Sequence, residues 1–160
     1  MIEVVVEIPK GSRNKYEYDD RRGVFVLDRV LYSSVHYPTD YGFVPNTLAA
    51  DGDHLDVLII VEEPTFTGCH LLVRAVGVLI MQDEKGRDEK ILAVPVRDPR
   101  FDQISDLRDV PPHLLREIEN FFATYKALEG KPTATLGWHD ATTALHVIAE
   151  AQGAAKASHA

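Results

Sequence analysis

The stretch Asp51-Gly52-Asp53-His54-Leu55-Asp56 runs directly into Val57-Leu58-Ile59-Ile60-Val61. The apolar run reads as a buried strand. Its mouth carries Asp51, Asp53 and Asp56. A strand entering a core has no need of such acids, and crowded like charges disfavour one another's ionised form. Something positive should therefore sit among them. Carboxylate oxygens are hard donors suited to Mg²⁺, Ca²⁺ or Mn²⁺. In extended chain Asp51 and Asp53 share a face, while Asp56 has the opposite parity. Gly52 can supply the bend that brings the three together. By itself the stretch fits either a solvated acidic turn or a metal site.

On the N-terminal side, residues 3–8 read as a strand stopped by Pro9. Lys15-Tyr16-Glu17-Tyr18-Asp19 alternates charge with aromatics, the period of a half-buried strand. Asp20-Arg21-Arg22-Gly23 is a turn, Val24 to Leu27 returns as its hairpin partner, and Asp28-Arg29 closes the pair. Residues 30–50 are rich in Tyr, Pro, Gly and Asn and read as a long ordered loop. Loops of this length tend to carry function, although their tyrosines also have a plain role in packing the loop onto a barrel.

On the C-terminal side, Leu71 to Met81 is a long strand-like run with a bulge expected at Gly77. Asp83 to Asp88 forms a hairpin turn, and Ile91 to Val96 returns, with Pro95 marking an edge or strand end. A helix starts at Val110-Pro111-Pro112 and turns Leu114, Ile118, Phe121, Phe122 and Tyr125 inward. Asp140 caps a second helix with Ala144, Leu145, Ile148 and Ala149 facing in. Residues 152–160 are expected to fray. Many short strands followed by two helices predict a mainly β, α+β fold, a small barrel with helices laid against it.

The 160 residues fit one domain, 1–160, and at 45% hydrophobic content can fill a core. The net charge of -8 argues against general nucleic-acid binding. Cys69 is the only cysteine, so no internal disulfide is available and a reducing compartment is expected. No apolar run is long enough to span a membrane, and Met1 to Glu7 lacks a signal-peptide layout. A cytoplasmic protein is expected. No phosphate-binding glycine loop, nucleophile elbow, zinc spacing or EF-hand pattern is present. Acids recur at distant turns with Lys15, Arg29, Lys90 and Lys126 beside them. If the strand ends converge on one rim, both sets face one cavity. Such a cavity suits a polyanion bridged to carboxylates by divalent metals, the parts phosphoryl transfer uses.

Taken together the residues resemble the family I soluble inorganic pyrophosphatases. The shared segments, in family order, are Glu7-Ile8-Pro9, Asn14-Lys15-Tyr16-Glu17, Leu27-Asp28-Arg29, Tyr37-Pro38-Thr39-Asp40-Tyr41-Gly42 and Asp51 to Val57. Val76-Gly77-Val78, Asp83-Glu84-Lys85-Gly86 with Asp88 and Lys90, Val94-Pro95, and Phe121-Phe122 with Tyr125-Lys126 follow. The resemblance implies a five-stranded OB-like closed barrel plus two helices. It implies hydrolysis of pyrophosphate to two phosphates by metal-activated water, driving pyrophosphate-releasing biosynthesis. It also implies several Mg²⁺ ions, with Mn²⁺ or Zn²⁺ as substitutes, and a homo-oligomer, usually a hexamer.

Carried over by motif, Asp53 matches the catalytic acid that orients or deprotonates water. Asp51, Asp56, Asp83, Asp88 and Glu7 match metal ligands. Lys15, Glu17, Arg29, Tyr41, Tyr125 and Lys126 match the substrate-binding set, Glu17 as a rim acid. Tyr37 and Lys90 match supporting positions. His54 departs from the family's usual proline, which predicts weaker metal preorganisation or a shifted pH optimum with activity retained. Ala127 and Thr133-Ala134-Thr135 also depart from the usual residues, near a helix end and in oligomer contacts. The alternative from a different class is a non-catalytic OB-fold binding module. The acid set and the net charge argue against it.

Overall fold

The computed structural model describes residues 1–159. In chain order these form β1 (Ile2–Ile8), β2 (Asn14–Asp19), β3 (Val24–Val30), β4 (Asp40–Val44), β5 (Leu55–Ile59), β6 (His70–Asp83) and β7 (Gly86–Pro95). α1 (Pro112–Thr124), β8 (Ala134–Asp140) and α2 (Ala141–Ser158) complete them. Neighbouring strands run β1-β4-β5-β7-β6, and β6 pairs back onto β1, so five strands close into a ring. This is the mainly β, OB-like arrangement the sequence predicts. The start of β6 closes onto β1, while its later half accepts β8. β2 and β3 stand apart as a two-stranded sheet.

β5 has apolar partners on both faces, which explains its unbroken apolar run. Val57 and Ile59 pack in a cluster with Ala144, Ile148 and Ala151 of α2. Leu58 faces the other way, into a cluster with Ile118, Phe121 and Phe122 of α1. The expected bulge in β6 lies between Ala75 and Gly77. Asp140 caps α2 through its side chain, which accepts from the Thr143 amide.

Four expectations are corrected. The loop over residues 30–50 contains β4, which is buried at every position. Its glycine is obligatory, because a Cβ on Gly42 would lie 1.9 Å from the Val5 carbonyl oxygen. β8 was not foreseen; it forms by pairing with β6, from Gly77↔Asp140 to Gln82↔Ala134. On α2, Leu145 and Ala149 are exposed, and Ala151 and Ala155 take the inward positions beside Ala144 and Ile148. The stretch expected to fray from Gln152 is helical through Ser158.

Candidate active site

The ring and the β2–β3 sheet enclose an open cavity of about 730 Å³. Glu7, Lys15, Glu17, Arg29, Tyr41, Asp51, Asp53, Asp56, Asp83, Asp88, Lys90, Tyr125 and Lys126 all line it. Tyr37 does not. It is fully buried beneath, with its ring 5.4 Å from Tyr41 and 4.7 Å from Phe121.

Lys90 is the centre of the ring wall. Parallel pairing sets it beside Asp56, and β7 itself carries Asp88 two residues earlier. The ammonium donates to Tyr41 Oη at 2.8 Å and to Asp56 Oδ2 at 3.1 Å, and pairs with Asp88 Oδ2 at 2.8 Å. Its Nζ also lies 5.0 Å and 4.9 Å from the ring centres of Tyr41 and Phe122. Burial alone would drive a lysine towards neutrality, but Asp56 and Asp88 override it and hold its pKa well above the usual range. The two carboxylates compete for this one cation. Burial pushes Asp88 up, yet the nearer Lys90 pulls it below the usual carboxylate range. Burial raises Asp56 despite Lys90, with the charge on Asp88 adding to the effect.

Glu7 emerges from β1 into the same cavity. Burial pushes its pKa up to about 7, against the pull of the Tyr18 amide that donates to Oε2 at 2.8 Å. The loop between β4 and β5 brings in Asp51 and Asp53. Gly52 has φ +91, a left-handed conformation that suits glycine. The turn is tightened by Asp53 N–H donating to Asp51 Oδ1 at 3.1 Å and by Leu55 N–H donating to Thr47 Oγ1 at 2.9 Å. Burial also raises Asp51. His54 in the same loop reaches Asp20 and Thr47 through its two ring nitrogens.

Lys15, Arg29 and Lys126 line the cavity beside acids of their own. Lys15 and Arg29 are cross-strand partners on β2 and β3. Asp28 lies 3.7 Å from Lys15 Nζ and 2.6 Å from Arg29 Nη1. Arg29 Nε lies 2.9 Å from Glu129 Oε1, a close ion pair without the alignment of a hydrogen bond. The β6–β7 tip brings Asp83 and Glu84 to 3.9 Å and 3.4 Å from Lys126 Nζ, which enters just beyond α1. Asp28, Glu84 and Glu129 were missed by sequence reasoning as partners of the cations. Asp28 adjoins Arg29 and Glu84 adjoins Asp83, and those adjacencies were usable signals. Nothing in the sequence marks Glu129.

Ten carboxylates face six Lys and Arg side chains around this cavity. The donors are hard oxygens, which suit Mg²⁺, Ca²⁺ or Mn²⁺, and the excess of acid calls for added cations. A divalent metal fits this donor set. Among the described residues, no group of three or more His, Cys, Asp or Glu side chains is arranged to hold a metal as it stands. Lys90 occupies the space between Asp56 and Asp88, so metal binding requires those side chains to adjust.

The inorganic pyrophosphatase family profile matches residues 4–156. The inorganic pyrophosphatase of Methanosarcina mazei is 57% identical over 149 residues, covering 93% of this chain and 88% of that one. That of Synechocystis is 53% identical over 94% of this chain and 89% of its own. The crystal structure of inorganic pyrophosphatase from Thermus thermophilus superposes with a TM-score of 0.94 at 46% identity, covering 96% of this chain and 90% of that one. With profile, relatives and fold in agreement over nearly its whole length, the chain belongs to the inorganic pyrophosphatase family.

Proposed function

We infer that this protein hydrolyses inorganic pyrophosphate to two phosphates, with divalent metal ions as cofactor. The observation that carries the reading is the cavity's excess of acid, ten carboxylates converging on one cavity with six Lys and Arg side chains set among them. A polyanion is repelled by the acid wall alone. It is accommodated when divalent cations lie between the acids and the phosphates. Family membership and relatives named as inorganic pyrophosphatases support the same activity.

Asp51, Asp56, Asp83, Asp88 and Glu7 are the residues that would hold the metal ions, Mg²⁺ in this reading because every donor is a carboxylate oxygen. When bound, the ions neutralise phosphate charge and lower the pKa of water. Asp53, exposed at the cavity edge, orients the attacking water and takes its proton. Lys15, Arg29 and Lys126 hold phosphate oxygens, and Arg29 and Lys126 stabilise the charge that develops on the departing phosphate. Tyr41 and Tyr125 donate from the cavity floor, Glu17 stands at the rim, and Tyr37 and Lys90 fix the floor beneath. Positioning and charge stabilisation supply the rate.

The reading extends to one domain over residues 1–160, a homo-oligomer of hexameric order and a cytoplasmic location. Free Cys69 suits a reducing compartment. Among the described residues no helix is long and apolar enough to cross a membrane. The test is phosphate release from pyrophosphate with Mg²⁺, with EDTA, and in Asp53→Asn. Release that needs the metal and drops by about 10²-fold or more in the variant is expected. Metal-independent release, or full activity in Asp53→Asn, contradicts the reading.

A further inference from the structure

The tip of the β2–β3 hairpin is a tight turn closed by Asp19. Its carboxylate accepts from the Arg21 and Arg22 amides at 3.0 Å and 3.1 Å, and its carbonyl from Gly23 at 2.8 Å. The neighbouring Asp20 carboxylate is left to point outward, and Oδ1 lies 3.0 Å from His54 Nε2. The other ring nitrogen, Nδ1, lies 3.3 Å from the Thr47 carbonyl oxygen. The imidazole stacks on Phe43 with 4.7 Å between ring centres and 18° between planes, and Phe43 stacks in turn on Tyr18 at 5.6 Å. A single column of rings therefore joins the acidic loop, β4 and β2.

We propose that His54 is a positioning residue that clasps the β2–β3 hairpin to the Asp51–Asp56 loop and so holds the two walls of the cavity in register. An exposed ion pair alone contributes little, because two mobile side chains must be ordered to make it. Here the stack on Phe43 already fixes the plane of the ring, and only Asp20 remains to be ordered. Proline at this position would stiffen the loop through φ but leave Asp20 with no partner. The clasp is therefore a property of histidine at position 54. Its bearing on catalysis rests on the pyrophosphatase reading, while the contact itself does not.

The test compares His54→Ala, His54→Phe, Asp20→Ala and the His54→Ala/Asp20→Ala double variant by hydrogen exchange of the metal-free protein, and by steady-state kinetics with pyrophosphate. The amides to follow are Gly23 in the turn and Ala49 and Gly52 in the loop. Asp20→Ala is expected to speed exchange at all three by about fivefold to tenfold, one hydrogen bond's worth. A merely local role at the turn would leave Ala49 and Gly52 unmoved. His54→Phe keeps the stack and should match Asp20→Ala. The double variant should match His54→Ala, because once the ring is gone Asp20 has no contact left to lose. KM for pyrophosphate should rise by a similar factor, with kcat changed less than about twofold. Wild-type exchange at Ala49 and Gly52 in Asp20→Ala, or additive effects in the double variant, would overturn the clasp. Faster exchange beside an unchanged KM would overturn its role in setting the cavity. The exchange result stands whether or not pyrophosphate is the substrate, so failure of the clasp and failure of the activity reading are separable.

Discussion

The two walls of the cavity are built by different rules. β4 is buried at all its positions, and β5 at all but Asp56. No position of β2 or β3 is fully buried, and the pair forms a sheet of its own. The ring wall keeps carboxylates in place against their tendency to stay hydrated, which takes rigid surroundings and a buried cation. The hairpin carries Lys15 and Arg29 on a thinner support, held by the Tyr18–Phe43 stack, the His54–Asp20 contact and the Arg29–Glu129 pair. The difference teaches that charge held against burial belongs to a wall. Lys15 and Arg29, by contrast, sit on a less buried flank.

The sharpest way to break this contrast is Lys90→Met. Removing the 2% exposed ammonium leaves Asp56 and Asp88, both half-buried, without their cation. Loss of one partner of a fully buried pair costs about 3–5 kcal/mol, and the partial exposure of the two acids places this loss at about 2–3 kcal/mol. Metal-free thermal or denaturant unfolding should show that loss, and added Mg²⁺ should stabilise the variant more than it stabilises the parent. A small loss would mean that the wall does not depend on Lys90.

On the hairpin the expectation reverses. Lys15 makes one long contact, 3.7 Å to Asp28, so Lys15→Ala should cost under about 0.5 kcal/mol of stability. It should nevertheless lower kcat/KM by roughly tenfold to a hundredfold, as loss of a phosphate-holding charge does. A variant that loses stability while keeping activity would erase the distinction between the walls.

The smallest effect expected is one of pH. Burial raises Glu7 from 4.5 to about 7, and raises Asp56 as well. Between these values the folded metal-free chain holds more protons than the unfolded one, so its stability falls as pH rises from 4.5 to 7. Metal binding requires ionised carboxylates, so metal affinity should instead rise with pH through the same window. Melting temperatures measured across pH with and without Mg²⁺ should therefore slope in opposite directions. Parallel slopes would remove Glu7 and Asp56 from the metal-responsive set.

The wall was the more legible side in the sequence. Its apolar run, its bulge at Gly77 and its acids follow from local pattern and family resemblance. β4 was hidden because Pro38, Gly42, Pro45 and Asn46 punctuate it as a loop, although Gly42 is there for close packing against β1. β8 was hidden because Gly137 interrupts a short segment that gains its order from β6. On α2 the expected inward positions Ala144 and Ile148 are buried, but the stripe is narrower than expected and leaves Leu145 and Ala149 outside. The helix packs Ala144, Ile148 and Ala151 against the sheet residues, and Ala155 is buried one turn further on. The flank's supports were the least legible. Asp20 and His54 are 34 positions apart, and Arg29 finds Glu129 from the far end of the chain. No local period records such pairs.

The central claim is that the acid wall admits a polyanion only together with divalent cations. Its most direct measurement is calorimetric titration of methylene diphosphonate, a non-hydrolysable pyrophosphate analogue, into EDTA-treated protein and again with Mg²⁺ present. The account predicts no measurable binding without metal and clear binding with it, because ten carboxylates outnumber six cations around the cavity. Equal affinity in both conditions would contradict it.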